Sequence, residues 1–485
     1  MDEVLSYTLV SDHSLLHLNN ATVSGMDANP PLFTNLYWFI GHYISLNIEF
    51  LRAVTIMLFA VSIALFYYYI TSFLGRPVTN FVLVSIIVAF TYLNLTLSTQ
   101  IRAYSLFLLI SCTYFIVLHK LIDKPARAPW LLMHVLTGTL LVFTHNFGLF
   151  YLAASGAFFG LWWRWSRQPV YLRVLATHLL VALIWVTVWY PSFSIQAQAG
   201  KPHSWIDPPT FLSFFRTIGE LAPTLSSRME YIPTLSFLAI LRVILVGGLF
   251  LYIAIPKLQD DYRRTATDKA FQFYLLSGFL YILVICLAFG VTVIHTSIFI
   301  SRYLWPSHLL LIYQLVYAWY HFMEARRVPQ LAYVLPVYVV LLGSFLFYQN
   351  RKVIIFPSGV IPYLEKLNPR YPVLVESAYY FLPIWFHKSV PSPRYLLDWE
   401  SASVHGNVRS ATVEYWILKS MREKYGIDAI ISNSEFNKAS MPHFYVIDEA
   451  AHYQIERFID TKQIRVVRQL PIMIAGHRLL ECVFR

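Results

Sequence analysis

Apolar runs of about twenty residues recur from residue 52 to residue 348, separated by short polar turns, and then stop. A spanning helix needs roughly 20 apolar residues. The pattern therefore predicts about ten spans: 52–70, 79–97, 103–121, 129–143, 147–163, 171–190, 235–255, 270–291, 303–321 and 330–348. Two apolar stretches precede them. Residues 4–18 set Leu5, Leu9, Leu15 and Leu16 against Asp12 and His13, and residues 31–46 carry Tyr37, Trp38 and Tyr43 behind Pro30-Pro31. Both read as amphipathic helices at a membrane interface, where Tyr and Trp suit the headgroup region.

Beyond Tyr348 the pattern becomes that of an ordinary globular domain. Short strands are expected at 352–356, 372–375, 394–397, 429–432, 444–447, 464–467 and 479–484, with helices at 377–386, 411–424 and 450–458. Alternating strands and helices predict a small α/β domain with a partly parallel sheet, and Gly426 fits a helix end. The expected fold is an α-helical polytopic membrane protein with a small C-terminal α/β soluble domain. Its expected parts are an outer segment 1–51 with interfacial helices, a transmembrane domain 52–349 and an extracytoplasmic domain 350–485.

Composition supports the membrane class. The chain is 57% hydrophobic and 13% charged, about half the usual charged fraction. The net charge of +11 suggests nucleic acid until the charges are placed. Arg76, Lys120, Lys124, Arg127, Arg164, Arg167, Arg173, Lys257, Arg263, Arg264, Lys269, Arg326 and Arg327 fall in alternate connections. The opposite set holds Arg52, Arg102, Lys201, Arg216, Arg228 and Arg302. That asymmetry puts the first set in the cytoplasm and the second outside. The positive charge is topogenic, and nucleic acid is not indicated. An N-terminus facing outside with no span before Asp2 leads to the expectation that an initial spanning helix is missing from this sequence. Cys112, Cys286 and Cys482 are too scattered for a metal motif or a disulfide framework.

The candidate chemistry gathers on the expected outer side. In chain order come Asp2-Glu3, Asn29-Pro30-Pro31-Leu32-Phe33, Arg52 opening a span, Arg102-Ala103-Tyr104, Thr144-His145-Asn146-Phe147-Gly148 and Ser301-Arg302-Tyr303-Leu304. This order resembles the GT-C class of membrane glycosyltransferases, in the bacterial branch similar to protein O-mannosyltransferases and lipid A aminoarabinose transferases. Asn29 stands where that family commonly has His or an acidic-Lys pair. The resemblance implies transfer of a sugar from a polyprenyl-phosphate carrier to a lipid, glycan or protein acceptor at the outer face of the cytoplasmic membrane. Under it, Asp2 is the catalytic base with Glu3 beside it.

Elementary chemistry fits that assignment. A carboxylate takes the acceptor proton while a phosphate leaves, and the leaving phosphate needs positive charge. Arg102 with Tyr104 and Arg302 with Tyr303 are candidates to bind it, together with Asn29 and Lys201 at the substrate. Arg52 reads as structural, and Arg242 either binds or snorkels. His145 with Glu3 and Asp27 could hold a divalent metal ion, the one cofactor considered. The long polar loop 201–209 reads as a lid or acceptor contact. A transporter or lipid-linked sugar flippase is the alternative. It calls for broken helices and ionisable groups at mid-membrane, and a scaffold would make Asp2 and Arg302 dispensable.

Topology is directly testable. Cysteines placed in the loop around Lys201 and near Ser434 should react with an impermeant thiol reagent in intact cells, and one at Ala266 should not. Labelling at Ala266 would reverse the orientation.

Overall fold

The computed structural model describes residues 1–199, 206, 208–223, 233–259, 267–323, 344, 361–404, 410–449, 453–471 and 477–485. Contacts divide the chain into a helical unit, 29–191 with 208–342, and a sheet unit, 1–28 with 192–207 and 343–485. The expected strand 352–356 and residues 201–205 of the loop holding Lys201 lie outside the described residues, as does the span 330–348 but for residue 344.

The chain begins in the sheet unit with α1 (Asp2–Val10) and α2 (Leu15–Ala21). The stretch 4–18 is thus not one helix. Asp12 accepts the Ser14 amide at 3.0 Å, and Ser14 caps α2 through the His17 amide at 3.4 Å. Short polar side chains that satisfy backbone donors locally end one helix and start another. A π-turn, Thr22–Met26, follows.

The helical unit opens with α3 (Leu32–Tyr43), a helix within the expected stretch 31–46. It continues through α4 (Ile48–Leu74), α5 (Pro77–Ala89), α6 (Tyr92–Leu97), α7 (Tyr104–Asp123), α8 (Ala128–Thr144), α9 (Gly148–Ser166) and α10 (Tyr171–Val188). Next comes α11 (Tyr190–Ala199), whose residues from Ser192 belong to the sheet unit, and the helical unit then resumes with α12 (Phe211–Gly219), α13 (Pro233–Gln259), α14 (Lys269–Ile294) and α15 (Pro306–Met323). Among the described residues, five helices, α4, α7, α10, α13 and α14, are long and apolar enough to cross a bilayer. This is a multi-pass membrane protein.

Burial decides which helices are central. The apolar window of α7 is 78% buried, against 22% for α4 and 17% for α13. The outer faces of the peripheral helices expose Met57, Leu179, Leu183 and Ile244, as a lipid-facing surface does. Several buried hydroxyls bond within the unit, as an apolar surrounding favours. Tyr37 Oη pairs with Thr55 Oγ1 at 2.7 Å, and the Tyr171 and Tyr313 hydroxyls donate to the Ile122 and Ala270 carbonyls at 2.7 Å each.

Two expected spans need correction. The span 79–97 is broken between α5 and α6, because the Thr91 hydroxyl donates to the Ile87 carbonyl at 2.7 Å and the Asn94 amide to Val88 at 2.9 Å. Polar side chains there replace the helical ladder. The span 303–321 begins at Pro306, after a 3₁₀ turn Ser301–Leu304. Pro is preorganised for the first helical position, and Arg302 lies in the turn, not in the helix.

Among the described residues the sheet unit holds six strands: β1 (Val373–Val375), β2 (Pro393–Leu397), β3 (Ile430–Ser432), β4 (His443–Glu449), β5 (Ile464–Leu470) and β6 (His477–Phe484). Their order is β3-β2-β1-β4-β6-β5, parallel from β3 to β4 and antiparallel from β4 to β5. Its helices are α16 (Ile361–Leu364), α17 (Ala378–Phe386), α18 (Trp399–Ser403), α19 (Ala411–Tyr425) and α20 (Gln454–Asp460). Gly426 ends α19 in the left-handed conformation at φ 60°. Two buried carboxylates cap helix starts: Glu376 accepts the Ile455 amide and Glu414 the Ala378 amide, both at 2.7 Å.

The bond network at Asn94 generates a stability prediction. Its Oδ1 accepts Trp305 Nε1–H at 2.7 Å, and its Nδ2 donates to His308 Nε2 at 2.9 Å as well as to Val88. Asn94→Ala strands several buried polar groups and should cost about 2–4 kcal/mol. Thermal unfolding in detergent measures this, and an unchanged Tm would show that the network is not needed.

Candidate functional site

Three connections of the helical unit converge on His145. One is the turn between α6 and α7, where the Arg102 amide donates to the Gln100 carbonyl at 2.7 Å and Tyr104 opens α7. Another is the turn from α8 to α9, with His145 as C-cap of α8. The last is the 3₁₀ turn carrying Arg302 and Tyr303. The α8–α9 turn is tight. A Cβ on Gly148 would lie 2.6 Å from the Leu141 carbonyl oxygen, so no larger residue fits without moving backbone.

Aromatic rings wall in the imidazole. Phe107 stacks on it at 5.0 Å between centroids, with Tyr303 at 5.1 Å, Phe147 at 5.7 Å and Tyr104 at 6.0 Å. The Arg302 guanidinium lies 5.5 Å from the Tyr303 ring centre. Burial, and then the positive charges of Arg102 and Arg302, push the His145 pKa down to about 3. The imidazole is therefore neutral at ordinary pH. Its Nδ1 accepts the Phe147 amide at 3.1 Å, so the ring proton sits on Nε2. That Nε2 is buried with no hydrogen-bond partner among the described residues. The cluster thus combines two guanidiniums with a neutral N–H donor in an apolar wall, a chemistry suited to an anion.

An apolar cavity of about 160 Å³ lies between α12, α13 and α14, lined by Phe214, Ile218, Phe250, Tyr281, Cys286 and the charged Arg242 among others. Arg242 Nη1 donates to the Gly219 carbonyl at 3.5 Å. One lining residue, Phe214, stacks on Phe299 at 5.5 Å just ahead of the Arg302 turn, and the Ser301 hydroxyl donates to Glu220, which follows α12.

The other expected site residues are placed as follows. Asp2 and Glu3 occupy the first turn of α1, in the sheet unit, where carboxylates favour the helix dipole. Asp27 is buried in the same unit, its carbonyl accepting Gln196 Nε2–H at 2.8 Å. Asn29 begins the helical unit, and Lys201 lies outside the described residues. Glu3 and Asp27 belong to one unit and His145 to the other, so neither unit by itself assembles that metal set. Among the described residues, three metal-type side chains come within reach of one ion at Asp12, His13 and His17. Sequence reading noticed Asp12 and His13 only as a polar face. The His-x-x-x-His spacing of His13 and His17 was the available signal.

No family model matches the chain and no curated protein matches it significantly. A solved structure, ArnT from Cupriavidus metallidurans bound to undecaprenyl phosphate, is similar to it at 11% identity and a TM-score of 0.47, covering 94% of this chain and 88% of that one. A likeness this loose carries no weight for fold or chemistry, which rest on the residues themselves.

The depressed pKa of His145 has a consequence for stability. Between about 6.5 and about 3 the unfolded chain takes up a proton that the folded imidazole refuses. Stability from this residue is therefore complete above about pH 6.5 and lost as pH falls. His145→Gln keeps an acceptor for the Phe147 amide but does not titrate. Its Tm should drop less than that of the wild type between about pH 7 and about pH 5. Parallel melting curves are the check, and equal drops would refute it.

Proposed function

We propose that the protein is a membrane glycosyltransferase of the GT-C type. It moves a sugar from a polyprenyl-phosphate-linked donor to a lipid, glycan or protein acceptor on the outer face of the cytoplasmic membrane. The observation that carries this reading is the meeting of Arg102, His145 and Arg302, with Tyr104 and Tyr303, at the ends of apolar helices. A phosphate at the headgroup plane needs such donors, and the neighbouring apolar cavity suits a hydrocarbon chain. In this reading His145 serves the anion and not a metal, since two adjacent guanidiniums disfavour a cation there.

The step balances simply. The acceptor hydroxyl oxygen bonds to the anomeric carbon as its proton passes to a carboxylate, assigned to Asp2 on the family resemblance. The bond from the anomeric carbon to the phosphate oxygen breaks, and the electron pair stays on the phosphate, held by the guanidiniums. Glu3, Asn29 and Lys201 are assigned to the substrate neighbourhood on the same grounds. The Lys/Arg asymmetry supports the outward orientation, and the family resemblance supports the cytoplasmic membrane.

One observation favours the transporter alternative. Within α7–α10, Tyr114 Oη meets Ser155 Oγ at 2.7 Å, Ser155 meets His178 Nε2 at 2.9 Å, and His134 Nε2 lies 3.3 Å from Tyr114 Oη. Ionisable groups inside spans mark pathways by default. A flux of lipid-linked sugar that requires His134 and His178, without any transferase turnover, would favour transport.

The transferase reading makes two sharp expectations with purified protein and a panel of polyprenyl-phosphate sugars. Asp2→Asn should abolish transfer with expression intact, and near-normal turnover would pass the role of base to another carboxylate. Arg302→Ala should raise the apparent KM for donor about ten- to hundredfold, equivalent to about 1.5–3 kcal/mol. Arg302→Lys should recover part of this, because an ammonium lacks the bidentate fork. Loss of thermal stability with unchanged donor dependence would make Arg302 a structural anchor instead.

A further inference from the structure

The turn between α1 and α2 carries a cluster that the transferase reading does not use. Asp12 is fully buried at its side chain, His17 is partly exposed and His13 is 84% exposed at its side chain. Asp12 Oδ2 lies 2.5 Å from His17 Nδ1, and Oδ1 lies 3.2 Å from His13 Nδ1. The potential ligand atoms of all three lie within 4.8 Å of one another. A tetrahedral ion with bonds of about 2.0–2.1 Å needs its ligands roughly 3.3 Å apart. His13 Nδ1 already lies close to that spacing from Oδ1, whereas His17 Nδ1 has to draw back from Oδ2, which its partly exposed ring can do.

The carboxylate is also held in place from behind. Tyr425, the last residue of α19, donates its hydroxyl to Asp12 Oδ2 at 2.7 Å, and the Ser14 amide donates to Oδ1 at 3.0 Å. The Tyr425 ring packs edge-on against His17 at 5.3 Å. Outer donors that fix the lone pairs of a ligating carboxylate are the usual support of a metal centre. Two imidazoles and one carboxylate, with His13 open to water, suit a borderline transition ion with a solvent molecule in the fourth position. Calcium and magnesium prefer oxygen ligands and fit poorly.

We propose that Asp12, His13 and His17 bind a divalent transition-metal ion such as Zn²⁺. The ion would pin the α1–α2 turn to the C-terminal end of α19 within the sheet unit. The competing possibility is a metal-free hydrogen-bonded Asp–His–Tyr network.

Full-length protein in detergent, stripped with a chelator and titrated with Co²⁺ and then Zn²⁺, decides between them. One Co²⁺ per chain should bind with ligand-field absorption of nitrogen–oxygen coordination, and Zn²⁺ should displace it and raise the Tm. His13→Ala, at an exposed position that the fold does not need, should weaken binding at least tenfold, as should His17→Ala. Tyr425→Phe keeps all three ligands and should cost about tenfold through loss of the outer donor. His145→Ala should bind normally. The proposal is overturned if stripped wild-type protein takes up no Co²⁺. It is equally overturned if uptake survives in both His13→Ala and His17→Ala, or is lost in His145→Ala. None of these readouts depends on sugar transfer, so failure of the transferase reading would leave the metal result standing.

Discussion

A bilayer offers no water to a stranded polar group, and that constraint organises the helical unit. Side chains bond inward: the Tyr171 and Tyr313 hydroxyls reach backbone carbonyls, and Asn94 joins Trp305, His308 and Val88 at once. Arg102, His145 and Arg302 all occupy turns or caps, because a fixed charge at the centre of a span would be costly. The same constraint that builds the fold therefore collects the reactive groups at one set of helix ends.

The electrostatics of that collection are unusual in a useful way. A protonated histidine between two arginines would repel both. Burial and their charge keep the imidazole neutral, and the Phe147 amide fixes its tautomer. The ring can then donate a hydrogen bond to an anion without adding a third positive charge. Gly148 makes this geometry possible, since a side chain there would collide with the Leu141 carbonyl.

The sheet unit relies on a different device. Glu376 and Glu414 are buried yet placed at helix starts, where backbone amides and the helix dipole offset the loss of water. The first 28 residues join this unit through their own contacts. Tyr7 packs edge-on against Phe386 at 5.4 Å, the Ser420 hydroxyl donates to the Ser24 carbonyl at 2.9 Å, and Tyr425 holds Asp12. Asp2 and Glu3 begin a helix that packs on a folded domain, not a loose tail.

Hydropathy located most of the long helices and most of the strands, because burial in lipid or in a sheet writes a period into the sequence; it did not locate the short helices at 190–199, 211–219, 361–364 and 399–403. Residues 104–123 and 269–294 read as spans for that reason, and 443–449 read as a strand. The pattern could not show the break at residues 90–91, where Thr91 and Asn94 compete with the backbone in an otherwise apolar run. Nor could it separate residues 1–28 from 29–51. Arg102, His145 and Arg302 were each legible as candidates, because they stand in the ordered outer-side motifs that carry the family resemblance. Their meeting was not legible, because residues 102, 145 and 302 are joined only by packing over long sequence separations. The cluster at Asp12 shows the converse: its members are adjacent in the chain, yet the buried carboxylate and its support from Tyr425 exist only once the chain has folded.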